Sequence, residues 1–263
     1  VGPGAAHNID LDFLQKSMPK DGSVHLSDKT NQYGVFVLAG PNARSVLQKI
    51  ADADISNESF KWLSMQEIPI GFCPKVRAMR VNFVGSLGWE LHHPIEYQLQ
   101  LFEALQEAGA EFEIKNVGMR AMDSMRLEKS YRLWGTDLNA ENSALEANLH
   151  RFIKLNKGEF TGRQALVEQQ EQGVPNKFCT IEIEANDADS FGNEPIIIDG
   201  KVVGRGTSGG YGHFIRKSLM LGYIESGHAN IGQECEVRLL DKLLPAKIIA
   251  ESPYDPENIA LKA

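Results

Sequence analysis

The feature that most restricts the fold of this 263-residue chain is a change of pattern at Gly173-Val174-Pro175. Before this point helical periodicity alternates with a few strand-like runs, whereas after Lys177 the apolar segments are short and strand-like. Asp199-Gly200 separates two of these segments and is a strong signal for a two-residue hairpin. The segments comprise residues 179–184, 195–198, 201–203, 219–224, 234–240 and 245–249. We therefore predict an α+β region over residues 1–174 and a small antiparallel β-barrel or sandwich over residues 175–263.

The α+β region contains two steps from strand to helix. Residues 33–39 form a continuous apolar run, which predicts a strand buried on both faces, and Asn42 is placed to cap a helix through residue 50. Residues 75–83 and 89–93 predict a hairpin around a glycine-rich turn, followed by a helix over 96–107. Further helices are predicted over 8–18, 118–131 and, from a capping box at 161–164, up to residue 173. The methionine row of the 118–131 helix is expected to pack in the core.

Composition excludes several classes of protein. The 27 Lys and Arg residues against 35 Asp and Glu residues give a net charge of −8 without a basic stripe, so nucleic acid is not expected as a partner. No apolar run reaches the roughly 18–20 residues of a bilayer span, so no membrane crossing is expected. Three distant cysteines without a C-x-x-C motif predict reduced thiols, no zinc site and a cytoplasmic location. Val1 opens no signal-peptide pattern, and the missing Met suggests a fragment.

Two motifs suggest chemistry that their context does not support, and a third catalytic motif is missing from the sequence. Residues 204–209 fit G-x-G-x-x-G, but no helix pattern follows, so we predict a flexible hairpin or loop rather than a phosphate site. His92 and His93 are neighbours on a predicted strand and point to opposite faces, so they cannot chelate one metal ion together. The chain has no G-x-S-x-G elbow, and hydrolase chemistry is not indicated.

Three acidic residues remain as candidates, and the residues alone leave their roles open. Glu90 lies on a predicted strand between Trp89 and Leu91, where a solvated position and a functional carboxylate are equally compatible with the pattern. Asp10 near a helix start fits a dipole-satisfying or capping residue. Asp137 is most simply a turn residue.

Several motifs follow one another along the chain: YGVFVLAGPNAR at 33–44, GSLGWEL at 85–91, MRLEKSYRLWG at 125–135, FIKLNK at 152–157 and FTGRQAL at 160–166, with further matches over 200–208 and 217–219. Together these motifs resemble the folate-binding aminomethyltransferase superfamily. The likeness is closest to the C-terminal portion of dimethylglycine and sarcosine dehydrogenases, with the glycine cleavage T-protein more distant. It implies two related α+β lobes, the first incomplete here, and a C-terminal antiparallel β-barrel; the FAD domain of the dehydrogenases is absent from this sequence.

The resemblance assigns site residues one by one. The family's catalytic Asp falls on Asp10 if one residue of slack is allowed, and its pterin-binding carboxylate falls on Glu90 without a gap. Tyr131 matches a ring-lining tyrosine of the T-protein. Where the T-protein has a folate-contacting Arg, this chain has Met122, with arginines only at positions 120 and 126 nearby. The resemblance implies no metal.

The same resemblance implies a function. The chain is expected to bind tetrahydrofolate and to accept a carbon from a methylated glycine, giving 5,10-methylenetetrahydrofolate. Implied partners are an FAD-dependent dehydrogenase domain or, in a free-standing glycine-cleavage aminomethyltransferase, a lipoyl carrier protein. The location would be the mitochondrial matrix in a eukaryote. A non-catalytic folate-binding module is the remaining alternative.

Overall fold

The computed structural model describes residues 6–263, which form two compact units. The first unit comprises the described residues up to Asn82 together with Ser86–Asn116 and Asn258–Ala263, and the second comprises Phe83–Gly85 and Val117–Glu257. The predicted domain boundary at 174/175 lies inside the second unit. Compact units and sequence domains are different divisions of a chain, so that boundary stays a prediction. Across residues 6–263, none of the helices combines the length and the apolar character that a bilayer span requires.

The first unit is built on a four-stranded antiparallel sheet with the strand order β1-β4-β3-β2. One face of this sheet packs against two helices, which bury Leu47 and Leu101 against Trp89 and Leu91. The elements are α1 His7–Ser17, β1 Tyr33–Ala39, α2 Ala43–Gln48, β2 Met65–Ile70, β3 Cys73–Met79, β4 Gly88–Pro94, α3 Gln98–Gly109 and, at the C-terminal end, α6 Ile259–Lys262. The predicted pairing of two strands around the turn before Trp89 is confirmed by the β3–β4 register.

Strand β1 corrects the prediction of a strand buried on both faces. It lies at the edge of the sheet, where Val35 and Val37 are 45% and 55% exposed and only Leu38 is buried. An antiparallel sheet needs only one buried face, so an apolar run can expose its alternate residues. The predicted Asn42 cap is also wrong, because its side chain makes no capping hydrogen bond to α2.

The second unit contains two helices and a closed antiparallel barrel of six strands in the order β10-β5-β8-β7-β6-β9. The barrel confirms the predicted C-terminal architecture, and Asp199 and Gly200 form the predicted hairpin turn, both with positive φ. The elements are α4 Met119–Glu128, α5 Arg163–Gln172, β5 Asn176–Ile183, β6 Pro195–Ile198, β7 Lys201–Gly212, β8 Lys217–Glu225, β9 Glu234–Leu239 and β10 Lys242–Ile249.

The glycine-rich segment at 204–209 lies within strand β7, which pairs with the next strand, β8, as an antiparallel hairpin. Of the two structures predicted for this segment, the hairpin is confirmed and the loop is wrong. The glycines allow β7 and β8 to approach closely. A Cβ on Gly204 would collide with the carbonyl oxygen of Tyr223, and a Cβ on Gly222 would collide with that of Arg205. Backbone contact, rather than phosphate binding, explains glycine at these positions.

Both helices of the second unit correct a sequence-based expectation. On α4 the buried residues are Arg126, Leu127 and Glu128, whereas Met119 is 74% exposed and Met122 and Met125 are half-buried, so the methionine row is not the core face. Glu128 is buried because its carboxylate accepts the backbone N–H groups of residues 214 and 215. The predicted capping box of α5 does not form, since this helix begins without a side-chain cap after a left-handed Gly162.

The most buried charge of the second unit is the carboxylate of Asp137, which is completely inaccessible to solvent. Its Oδ2 accepts hydrogen bonds from Arg126 Nη1 and from the backbone N–H of Leu133, both at 2.7 Å. Its Oδ1 accepts the hydroxyl of Ser208 at 2.7 Å and that of Thr207. The turn predicted around Asp137 is therefore present, and the carboxylate also joins α4 to β7.

A register shift in β7 makes this arrangement possible. Successive strand residues normally point to opposite faces, but the ladder between β7 and β8 shifts between Gly206 and Ser208, which lets the side chains of Thr207 and Ser208 reach the same carboxylate. The hydroxyl of Tyr223 on β8 donates to the backbone carbonyl of Asp137 at 2.8 Å. The Asp137 turn is thus held by two adjacent barrel strands.

We predict that Asp137→Ala destabilises the protein by about 3–5 kcal/mol, because the substitution removes the buried carboxylate with which the Arg126 guanidinium pairs. Urea unfolding followed by circular dichroism measures this loss. The matched control is Asp199→Asn at the exposed hairpin, expected to change stability by less than about 0.5 kcal/mol. Equal effects of the two substitutions would contradict the central role of Asp137.

The three cysteines are free and buried, and burial raises the pKa of the Cys179 and Cys235 thiols to about 11. In the unfolded chain a thiol loses its proton at about pH 8.5, so rising pH favours the unfolded state until the folded thiols also ionise. We therefore predict that stability falls from about pH 8.5 upward. The fall should be shallower in the Cys179→Ala/Cys235→Ala double variant, as measured by unfolding midpoints between about pH 8 and 9.5. The prediction would be contradicted if the unfolding midpoints of the wild type and the double variant fell equally with pH.

Candidate functional site

Glu90 lies on the solvent-facing side of the first unit's sheet. Its strand neighbours Trp89 and Leu91 are both fully buried in the core, so strand alternation turns Glu90 to the opposite face, where its side chain is 31% exposed. Its cross-strand neighbours are Val37 on β1 and Met79 on β3. The sheet therefore presents a carboxylate on a rigid central strand, open to a ligand and flanked by apolar side chains.

The carboxylate has one side-chain partner, His92, two residues further along β4. The distance between Glu90 Oε2 and His92 Nε2 is 3.2 Å, and the imidazole is 32% exposed. His93 points to the other face and is fully buried, with Nδ1 2.9 Å from the Leu91 carbonyl oxygen and Nε2 2.7 Å from Gln98 Oε1. The two histidines face opposite ways, as predicted. Among residues 6–263, no group of three or more His, Cys, Asp or Glu side chains is placed to hold a metal ion.

Asp10 lies in the first turn of α1 and is half-buried. In the described part of the chain, no hydrogen bond or ion pair engages its carboxylate, whereas Asp12 on the same helix pairs with Lys16 at 2.7 Å. The helix starts without a side-chain cap, so Asp10 does not cap it, although its position suits the positive end of the helix dipole. None of the residues of α1 is buried. The Asp10 carboxylate is thus free to meet a ligand but sits on a lightly packed helix.

Tyr131 belongs to the second unit and follows α4. Its half-buried ring stacks on Phe83, with ring centroids 5.9 Å apart and an angle of 25° between the planes. Burial raises the pKa of the Tyr131 phenol, and the nearby positive charge of Arg151 opposes this shift. The phenol is therefore neutral at physiological pH. The Tyr131–Phe83 pair forms an aromatic surface with a polar hydroxyl at one end, which suits a flat ring that carries polar substituents.

Of the two arginines near Met122, Arg126 is structural. Its side chain is 1% exposed and contacts Asp123 at 2.6 Å and Asp137 at 2.7 Å. Its Nη1 also donates to the backbone carbonyl oxygen of Tyr131 at 3.1 Å, which fixes the main chain that carries this ring. Arg120 is exposed in the first turn of α4.

The three predicted site residues are divided between the two units. Glu90 and Asp10 belong to the first unit, where no described hydrogen bond or ion pair joins them, and Tyr131 belongs to the second. Sequence reasoning missed His92 and Phe83 as neighbours of these residues. The signal for His92 was present, since a residue two positions from Glu90 on a strand shares its face. Phe83 carried no comparable signal.

Comparison with known families gives these positions their context. Residues 1–157 match the model of the GCVT N-terminal domain, and residues 176–255 match that of the glycine cleavage T-protein C-terminal barrel domain. The chain belongs to the glycine cleavage T-protein family. The resemblance seen in the sequence motifs is thereby confirmed, and the observed barrel corresponds to the second of these models.

The relatives of this chain are longer proteins, of which it matches only a part. It is 41% identical over 244 residues to the human mitochondrial dimethylglycine dehydrogenase, a match that covers 92% of the chain and 28% of that protein. It is 31% identical over 251 residues to an aminomethyltransferase of Desulfitobacterium hafniense, covering 95% of the chain and 67% of that protein.

A solved aminomethyltransferase structure has the same fold as this chain. The crystal structure of the glycine cleavage system aminomethyltransferase T from Bartonella henselae superimposes with a TM-score of 0.81 at 21% sequence identity. This match covers 95% of the chain and 67% of that structure. At this level of identity, the likeness shows the aminomethyltransferase fold alone.

Proposed function

We propose that this chain binds tetrahydrofolate and accepts a one-carbon unit from a glycine-type amine, dimethylglycine or sarcosine, to give 5,10-methylenetetrahydrofolate. The observation that carries the proposal is the Glu90 carboxylate, held on a core strand and turned to the open face of the sheet. Membership of the T-protein family and the likeness to a dimethylglycine dehydrogenase supply the reaction class.

The chemistry of Glu90 suits a pterin ring. The edge of a pterin offers two parallel N–H donors, from N3 and from the 2-amino group, and a carboxylate accepts such a pair with both oxygens. Because β4 is a central strand, paired with both β1 and β3, its backbone holds the carboxylate in a fixed direction. Charge-assisted hydrogen bonds of this kind are worth about 1.5–3 kcal/mol each.

Tyr131 and Asp10 have distinct proposed roles. Tyr131, supported by Phe83, packs against the pterin or the p-aminobenzoyl ring. Tetrahydrofolate supplies the nucleophilic nitrogen, N5, that takes up the carbon. The free carboxylate of Asp10 orients this amine and holds its proton, which is a general acid–base role worth about 10²- to 10⁴-fold in rate.

The donor of the carbon is proposed from the relatives. An FAD-dependent dehydrogenase domain that oxidises the methylated glycine would supply it. The likeness to a mitochondrial dimethylglycine dehydrogenase supports the mitochondrial matrix as the proposed location in a eukaryote. A free-standing aminomethyltransferase acting with a lipoyl carrier protein is the second candidate, favoured by the match to an aminomethyltransferase. A non-catalytic folate-binding module is the third, favoured by the light packing of the helix that carries Asp10.

We predict that Glu90→Ala weakens tetrahydrofolate binding by about 1.5–3 kcal/mol, because the pterin donors lose a charged acceptor. Isothermal titration calorimetry of tetrahydrofolate into the purified chain measures the change. The control is Glu103→Ala, which removes an exposed carboxylate from α3 in the same unit and should leave the affinity unchanged. Unaltered affinity in Glu90→Ala would place the pterin elsewhere.

We predict that Asp10→Asn lowers the rate of 5,10-methylenetetrahydrofolate formation by about 10²- to 10⁴-fold while tetrahydrofolate still binds. Product is followed by coupling to a methylenetetrahydrofolate dehydrogenase, with the protein joined to its amine-oxidising partner. Asp12→Asn is the matched control, since Asp12 is an exposed residue of the same helix. A chain that binds folate and shows no Asp10-dependent rate would support the non-catalytic module.

A further inference from the structure

The face of the first unit's sheet that carries Glu90 also carries a titratable group in direct contact with it. His92 Nε2 lies 3.2 Å from Glu90 Oε2, and both side chains remain about one-third exposed. Neither group is buried in the core, so solvent protons and a ligand both have access. The resemblance to the T-protein family assigns no role to this histidine.

The other charged groups on this face are engaged elsewhere. On β3, Arg77 is the cross-strand partner of His92, but its guanidinium stacks on the ring of Tyr33 at 5.3 Å and lies 3.6 Å from the carboxylate of Glu67 on β2. On β1, the residue opposite His92 is the apolar Val35. Glu90 is therefore the acidic group in contact with the imidazole.

We propose that His92 is a positioning residue for Glu90 and that its protonation state sets the affinity of the site for the pterin ring of a reduced folate. The proposal rests on the proposed function. In its neutral form, with the proton on Nε2, the imidazole donates one hydrogen bond to Oε2 and fixes the plane of the carboxylate. The second lone pair of Oε2 and both lone pairs of Oε1 remain available to the two pterin donors.

Protonation of His92 changes the charge beside the Glu90 carboxylate but leaves the contact between the two side chains in place. Imidazole is the side chain whose charge changes between about pH 5 and 8. An imidazolium at the same distance binds Oε2 as an ion pair and offsets the negative charge that strengthens the hydrogen bonds from the pterin. Pterin binding therefore favours the neutral imidazole, and by linkage the binding of a reduced folate releases a fraction of a proton near the midpoint of this titration.

The test compares tetrahydrofolate binding at several pH values by calorimetry, in buffers of different ionisation enthalpy so that proton release is also measured. We expect wild-type affinity to fall about three- to tenfold from pH 8 to pH 6. His92→Gln keeps a neutral donor, so its affinity at pH 8 should stay within about twofold of wild type, with a flat pH profile and no histidine-linked proton release. Protons exchanged by the ligand itself are common to both proteins.

Two further variants keep the test decisive. Glu90→Gln removes the charge that the imidazolium offsets, so its weaker binding should be insensitive to pH over the same range. His228→Gln, a half-buried histidine of the second unit, should retain the wild-type profile. A wild-type pH profile in His92→Gln overturns the inference while leaving folate binding intact. A wild-type chain that binds no tetrahydrofolate at any pH overturns the proposed function and this inference with it.

Discussion

The buried carboxylate of Asp137 is the interaction on which the second unit depends. A charge removed from water is tolerated only when each of its oxygens is compensated, and here four donors from α4, the following turn and β7 meet the two oxygens. The same contacts fix Arg126, which in turn holds the main chain of Tyr131. A proposed ligand-binding ring is thus positioned by a polar cluster that is itself buried.

The resemblance to the T-protein implies a folate-contacting arginine at the position that Met122 occupies here. The contacts of this cluster explain why Arg126, on the same helix, does not replace it. The Arg126 side chain is 1% exposed and its guanidinium already pairs with Asp123 and Asp137. Any contact with the carboxylates of a folate must therefore come from other cations. The first unit shows the opposite arrangement, since Glu90 and His92 sit on a rigid strand but remain accessible. The charged residues that stabilise the second unit are therefore distinct from those proposed to recognise the ligand.

The sequence predicts elements whose signals are local. Alternation around Glu90, the Asp199-Gly200 hairpin and the barrel strands follow from residues that are close along the chain. The burial of β1 could not be predicted, because an apolar run gives hydrophobicity but not position within a sheet. The hydrogen-bond partners of Asp137 could not be predicted either, because Thr207 and Ser208 lie about 70 residues away in the sequence. For the site, the residues alone named Glu90 and Asp10 as candidates, whereas the roles of both were proposed through family resemblance. Tyr131 was proposed through that resemblance alone.

The close approach of β7 and β8 at Gly204 and Gly222 also has a genetic consequence. The contact is between one backbone and another, so it is insensitive to the chemistry of the side chain and sensitive only to the presence of a Cβ. Every single-base change in a glycine codon that encodes another amino acid introduces that atom. No amino-acid substitution at Gly204 or Gly222 is therefore conservative. Inherited or selected substitutions in the barrel should be rarer at these two positions than at neighbouring exposed strand residues.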